Sequence, residues 1–164
     1  LPAGRMQLLP GIKHTFLIDD SYNSSPEACL SALKVLGQIK IDGAASKYAV
    51  LGDMLEIGAY SEEGHTLVGR TLFEQGINYL VSVGERSRDI DRGAKEAGMS
   101  SDFIFHFDDS ATAGRFVQER LHEGDVVLIK GSQGTRMERV TKELMAEPDK
   151  AEELLVRQGP GWQD

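Results

Sequence analysis

The sequence predicts an α/β fold, a mostly parallel sheet of about six strands with helices on both faces. Two observations carry this. Stretches rich in β-branched and aromatic residues recur at Thr15–Ile18, Tyr48–Leu51, Tyr79–Val83, Phe103–Phe107 and Val126–Ile129, each four to five residues long and apolar on both sides. That is the pattern of strands covered on both faces rather than one. Amphipathic helical segments alternate with them, as in parallel sheets built from crossover units. The 164 residues, 40% hydrophobic and 27% charged, suit one globular domain.

The elements follow in order. Met6–Leu9 is a weaker strand, expected to pair with Thr15–Ile18 as an edge hairpin across Pro10-Gly11. Cys29, Ala32, Leu33, Leu36 and Ile39 share one helical face. Ser25 stands at the N-cap of that helix, Pro26 at its first position and Glu27 in its first turn. A second helix starts at Ser61, where Glu62 and Glu63 favour the positive end, and stops at Gly76. Further helices are predicted near Ser87–Ala97, Ser110–His122 and Arg136–Met145. The domain is expected to span residues 1–146. The charged tail, 147–164, is expected to fray around Gly159-Pro160-Gly161, after a short docking helix at Leu154, Leu155 and Val156. The whole reads as Rossmann-like.

Composition removes several functions. Lys and Arg total 18 against 26 Asp and Glu, a net charge of −8, so no basic stripe is available to follow a nucleic acid. Cys29 is the only cysteine, which excludes an intrachain disulfide and suits a reducing compartment. Its place on an apolar helix face favours packing over reactivity. No apolar run spans a bilayer and no signal peptide is present, so the expected location is the cytoplasm. His14, His106 and His122 lack ligand spacing for zinc, and His65, early in a helix, is read as structural. No Gly-x-Ser-x-Gly elbow marks a hydrolase.

In open sheets of this kind ligands sit beyond the carboxyl ends of the strands. That directs attention to the loops Asp19–Pro26, Gly52–Tyr60 and Gly131–Thr135. In the first, Asp19 and Asp20 can accept from sugar hydroxyls or hold a divalent ion, Tyr22 offers a surface for a base, and Asn23 offers an amide to read its edge. Ser25 and Pro26 are read as capping chemistry. In the second, Asp53 and Glu56 either meet a substrate amine or tie the loop down. In the third, Lys130 ends an apolar strand ahead of Gly131-Ser132, an edge suited to an anion or ligand. No phosphate-binding Gly-x-x-x-x-Gly-Lys-Ser/Thr loop occurs, and no Gly-x-Gly-x-x-Gly follows the first strand, which weakens a dinucleotide role. A phosphoacceptor receiver module also pairs acids with a strand-end Lys. Asp53, however, follows the wrong strand, and Gly131 rather than Pro follows Lys130.

Four segments together are specific. Gly4-Arg5-Met6, Ile18-Asp19-Asp20-Ser21-Tyr22-Asn23 with Pro26, Val50–Gly58 with His65, and Leu128-Ile129-Lys130-Gly131-Ser132 with Met137-Glu138 resemble, in order and spacing, the D-alanyl-D-alanine-adding Mur ligases over residues 2–145. Sibling Mur ligases and folylpolyglutamate synthases are the nearest alternatives. The resemblance implies a three-domain, ADP-forming ligase that joins D-alanyl-D-alanine to UDP-N-acetylmuramoyl-tripeptide. ATP and Mg2+ would be held mainly by a central domain, and this chain would be the C-terminal domain, a fragment inactive without its N-terminal and central partners. It further implies that Arg5 reaches the ATP phosphates on closure, that Asp20 binds the ribose, and that Tyr22, Asn23 and Ser24 flank the nucleotide. Asp53, Glu56, Lys130 and Ser132 would face the dipeptide, and no metal ligand is expected here. Two positions depart from the family pattern: Ser25 where many members have Asn, and Gln133 where Arg is frequent.

Overall fold

The computed structural model describes residues 2–56 and 58–162, apart from the Glu56 side chain. The chain opens with β1 (Gln7–Gly11) and β2 (Thr15–Asp20), an antiparallel pair. Its turn lies at Ile12–His14, with Lys13 and His14 at φ 57° and 58°, rather than at Pro10-Gly11. Pro10 is instead drawn into β1 opposite Phe16, a place where an edge strand tolerates a residue with no N–H.

Then come α1 (Pro26–Gln38), β3 (Lys47–Gly52), a small hairpin of β4 (Leu55–Glu56) and β5 (Ala59–Tyr60), α2 (Glu62–Glu74), β6 (Tyr79–Val83) and α3 (Arg88–Ala97). The chain continues with β7 (Ile104–Phe107), α4 (Ser110–Arg120), β8 (Val126–Lys130), α5 (Glu138–Leu144) and α6 (Ala151–Leu154). Ser25 and Ser61 cap α1 and α2 as expected, accepting from Ala28 N and Gly64 N. Helix α5 starts two residues late because Arg136 is left-handed, φ 54°.

The six-stranded sheet runs β1-β2-β8-β3-β6-β7, with every pair parallel except β1–β2. One core packs α1, α2 and α3 through Leu33, Leu72 and Ile90 onto Ile18, Leu51 and Leu128. The other packs α4, α5 and Leu155 through Val117, Val140 and Leu144 onto Leu17, Val50 and Ile129. The helices after β2, β3 and β6 thus cover one face, and those after β7 and β8 the other. Neighbouring strands β2 and β8 send their chains to opposite faces, which opens a crevice at their carboxyl ends. No helix among the described residues is long and apolar enough to cross a membrane.

The tail differs from the expected fraying. Ala151 and Leu155 are buried in the second core, and the Arg157 side chain, 7% exposed, is bonded inside the domain. Charge that reads as solvated in the sequence is here paired with a buried carboxylate.

Candidate functional site

The crevice is built from the ends of β2 and β8. Side chains alternate across a sheet, so the neighbours Asp19 and Asp20 are split. Asp19 is fully buried on the α5 side, where its Oδ1 accepts from the Ser21 and Thr141 hydroxyls at 2.7 and 2.8 Å. Burial pushes its carboxyl pKa up. Asp20 faces the α1 side, opposite Lys130 in register. Its Oδ2 pairs with Lys130 Nζ at 2.6 Å, and its Oδ1 accepts the Met6 N–H at 3.0 Å. Lys130, 3% exposed, also donates to Asn23 O at 3.3 Å. An ionised carboxylate offers about four acceptor directions. Two are used, so Asp20 keeps capacity for hydroxyls in the cleft.

That cleft has a volume of about 750 Å³ and brings together Arg5, Asp20, Tyr22, Asn23, Ser24 and Lys130, with Ala28, Ala32 and Val35 of α1 as its apolar wall. The Arg5 guanidinium lies over the Tyr22 ring, 4.1 Å from the centroid, a cation–π contact. Gly4, at φ 72°, accepts the Tyr22 N–H at 2.9 Å. A Cβ there would fall 2.9 Å from Tyr22 N, so the segment carrying Arg5, just ahead of β1, lies against the loop only with glycine at this point. The Ser24 hydroxyl is buried without a protein partner, the condition of a polar group left for something else to satisfy.

The other two loops form a different arrangement. Asp53 Oδ1 accepts the Ser87 N–H at 2.8 Å, and burial pushes its pKa up. Ser132, 5% exposed, donates its N–H to Asp53 O at 2.8 Å. Neither residue lines the cleft. Of the two readings open for Asp53, tying the loops together is what these bonds do. Lys130 is in the cleft, but as the partner of Asp20. The Glu56 side chain lies outside the described residues. His65, fully buried, takes its structural place: Nδ1–H donates to Ser61 O at 2.7 Å and Nε2 accepts the Met54 N–H at 3.1 Å. That arrangement needs the neutral ring, and burial lowers its pKa accordingly.

The family model described as Mur ligase, glutamate ligase domain matches residues 4–133, most of the chain and every residue lining the cleft. The chain belongs to this family. The UDP-N-acetylmuramoyl-tripeptide–D-alanyl-D-alanine ligase of Bacillus subtilis is 28% identical over 88% of this Mur ligase domain, and that of Escherichia coli 31% identical over 86%. The domain spans 31% and 29% of those two relatives, about a third of their length. Among solved structures, the MurF ligase of Thermotoga maritima in complex with ADP superposes with a TM-score of 0.71 at 29% identity, covering 92% of this domain and 32% of that chain.

A polar cluster unnoticed in the sequence lies farther along the sheet. The Ser82 hydroxyl donates to Asp91 Oδ2 at 2.9 Å and lies 2.8 Å from His106 Nδ1. Only the crossover brings these three together, so spacing gives no signal. Burial pushes Asp91 up to about 6, against the pull of Ser82, Lys95 and Arg88, while burial pushes His106 down. A carboxyl raised on folding contributes stability at acid pH that is lost as pH rises from its ordinary 3.8 through about 6. His106 acts oppositely, losing stability as pH falls below its ordinary 6.5. Asp91→Asn removes the first effect at a ceiling of about 3 kcal/mol. The new amide, placed where Asp91 Oδ1 now has no partner, returns about 1 kcal/mol of that. The variant is expected to be more stable than the parent at pH 7.5 by about 1–2 kcal/mol, with the gain vanishing near pH 4. Urea titrations at the two pH values measure it, and a gain independent of pH would show that the Asp91 charge is not the cause.

Proposed function

We propose that this chain is the nucleotide-closing domain of an ATP-dependent UDP-N-acetylmuramoyl-tripeptide–D-alanyl-D-alanine ligase. The observation that carries the reading is Asp20, held by Lys130 and Met6 at the switch point of the sheet with acceptor capacity turned into the cleft. The names of the relatives and the ADP complex of a structural neighbour support it.

In this reading Asp20 accepts the ribose hydroxyls, Tyr22 flanks the base, and Asn23 and Ser24 supply polar contacts around it. Arg5, now on the Tyr22 ring, leaves it to meet the phosphates when the domain closes over a nucleotide held by the central domain. The reaction passes the γ-phosphoryl group to the tripeptide carboxylate, releasing ADP. The dipeptide amine then attacks the acyl phosphate and inorganic phosphate departs. This chain carries no nucleophile for either step; it contributes position and charge. A Mg2+ site does not fit its residues, because Asp19 and Asp20 point to opposite faces and no group of three or more candidate ligands exists among the described residues.

The test is ADP release by a ligase polypeptide containing this domain, supplied with ATP and UDP-N-acetylmuramoyl-tripeptide. Turnover is expected with D-alanyl-D-alanine and not with L-glutamate or diaminopimelate. Turnover with a single amino acid and none with the dipeptide would overturn the assignment in favour of a sibling ligase.

A further inference from the structure

The segment beyond the matched family residues closes back on the site from the face opposite the cleft. Glu138 is fully buried. Its Oε1 accepts from Arg157 Nε and Nη2 at 3.1 and 2.9 Å, and its Oε2 from Arg136 Nε at 2.5 Å. The same Arg157 guanidinium donates from Nη2 to Ser21 O at 2.5 Å and from Nη1 to Tyr22 O at 3.1 Å. One planar fork therefore holds a buried carboxylate along one edge and two consecutive loop carbonyls along another. Arg136 fastens the end of the segment, donating to Trp162 O at 3.0 Å with its guanidinium 5.0 Å from the Trp162 ring centroid. Arg136 and Arg157 both stand at positive φ, 54° and 55°, a cost for a residue with a Cβ that these bonds must offset.

We propose that Arg157 is a positioning residue for the nucleotide site, fixing the Ser21–Tyr22 backbone so that the Tyr22 ring and the Asn23 amide project correctly into the cleft. This rests on the nucleotide reading of that loop. Ser21 is already held to Asp19 through its hydroxyl, and Tyr22 to Gly4 through its N–H. Arg157 donates to both carbonyls of this pair. Lysine cannot replace it, because an ammonium is a point charge without the fork.

Arg157→Lys separates positioning from stability. The ammonium still neutralises Glu138, so the melting temperature should stay near that of the parent, whereas Arg157→Ala should lower it by stranding part of the Glu138 charge. In the Lys variant, amide exchange in the Ser21–Ser24 segment should speed up about tenfold, and the KM for ATP of a ligase containing the domain should rise by a similar factor with kcat little changed, as expected for losing hydrogen bonds from a charged donor. Unchanged exchange overturns the inference. Faster exchange with an unchanged KM also overturns it where Asp20→Ala still raises KM, since Arg157 is then only structural. Where Asp20→Ala leaves KM unchanged as well, the nucleotide reading itself has failed, and the inference with it.

Discussion

Asp20→Ala is expected to raise the KM for ATP, in a ligase containing this domain, by about 10–150-fold. The figure corresponds to losing a charge-assisted hydrogen bond to the ribose worth roughly 1.5–3 kcal/mol. The single variant also disturbs the fold. It leaves Lys130, 3% exposed, with only the Asn23 carbonyl at 3.3 Å, and an ion stranded in this way costs about 3–5 kcal/mol. The double variant Asp20→Ala, Lys130→Met removes both charges. Its melting temperature should recover most of the loss while its KM stays high, because the hydroxyl acceptor is still missing. Recovery of KM together with stability would mean that Asp20 serves the fold alone.

Much of this site is legible before any coordinates. The apolar runs Thr15–Ile18 and Val126–Ile129 locate β2 and β8 to within two residues of their ends, and the rule that ligands gather at carboxyl ends selects the loops that border the cleft. The sequence cannot show that β8 lies between β2 and β3. That order makes Lys130 the partner of Asp20. Composition alone cannot rank the acids within a loop either, although the family resemblance singles out Asp20. Asp19 and Asp20 are equivalent as letters, yet the pleat sends one to Thr141 and the other to the cleft. Asp53 has the composition of a site residue, but its hydrogen-bond partner, Ser87, is 34 residues away.

Two kinds of feature leave no local signal. The hairpin of β4 and β5 has strands of two residues each, too short for periodicity to register. The C-terminal segment reads as charged and Gly-Pro-rich, and its order comes from Glu138, a buried acid nineteen residues before Arg157. Composition describes each residue against solvent. Burial of a charge is decided by the partner that the fold delivers.

The same distinction applies to glycine, and it sets a second large stability effect. Gly69 in α2 and Gly93 in α3 form a reciprocal notch where the two helix backbones touch. A Cβ at Gly69 would lie 2.0 Å from Ile90 O and 2.6 Å from Ala94 N, and one at Gly93 would lie 2.1 Å from Thr66 O. Backbone atoms cannot yield as a side-chain tip can, so Gly69→Ala must push α3 away from α2 and loosen Val68, Leu72 and Ile90. Alanine gains about 1 kcal/mol of helix propensity over glycine. Overpacking against a rigid neighbour costs typically 1–3 kcal/mol and sometimes more. With the overpacking cost at the upper end of that range, the net expectation is a destabilisation of about 2 kcal/mol, which for a domain of this size lowers Tm by roughly 4–8 °C. Gly114→Ala in α4 is the control: its Cβ would meet nothing closer than Glu143 Cβ at 3.2 Å, and its stability should match the parent or exceed it. The site would feel the first change and not the second. Helix α2 carries His65, which holds Met54, and the turn leading into α3 carries Ser87, which holds Asp53, so separating the helices frees two anchors of the Gly52–Tyr60 loop. A Gly69→Ala protein that melts with the parent would show that the helices pass farther apart than this notch requires.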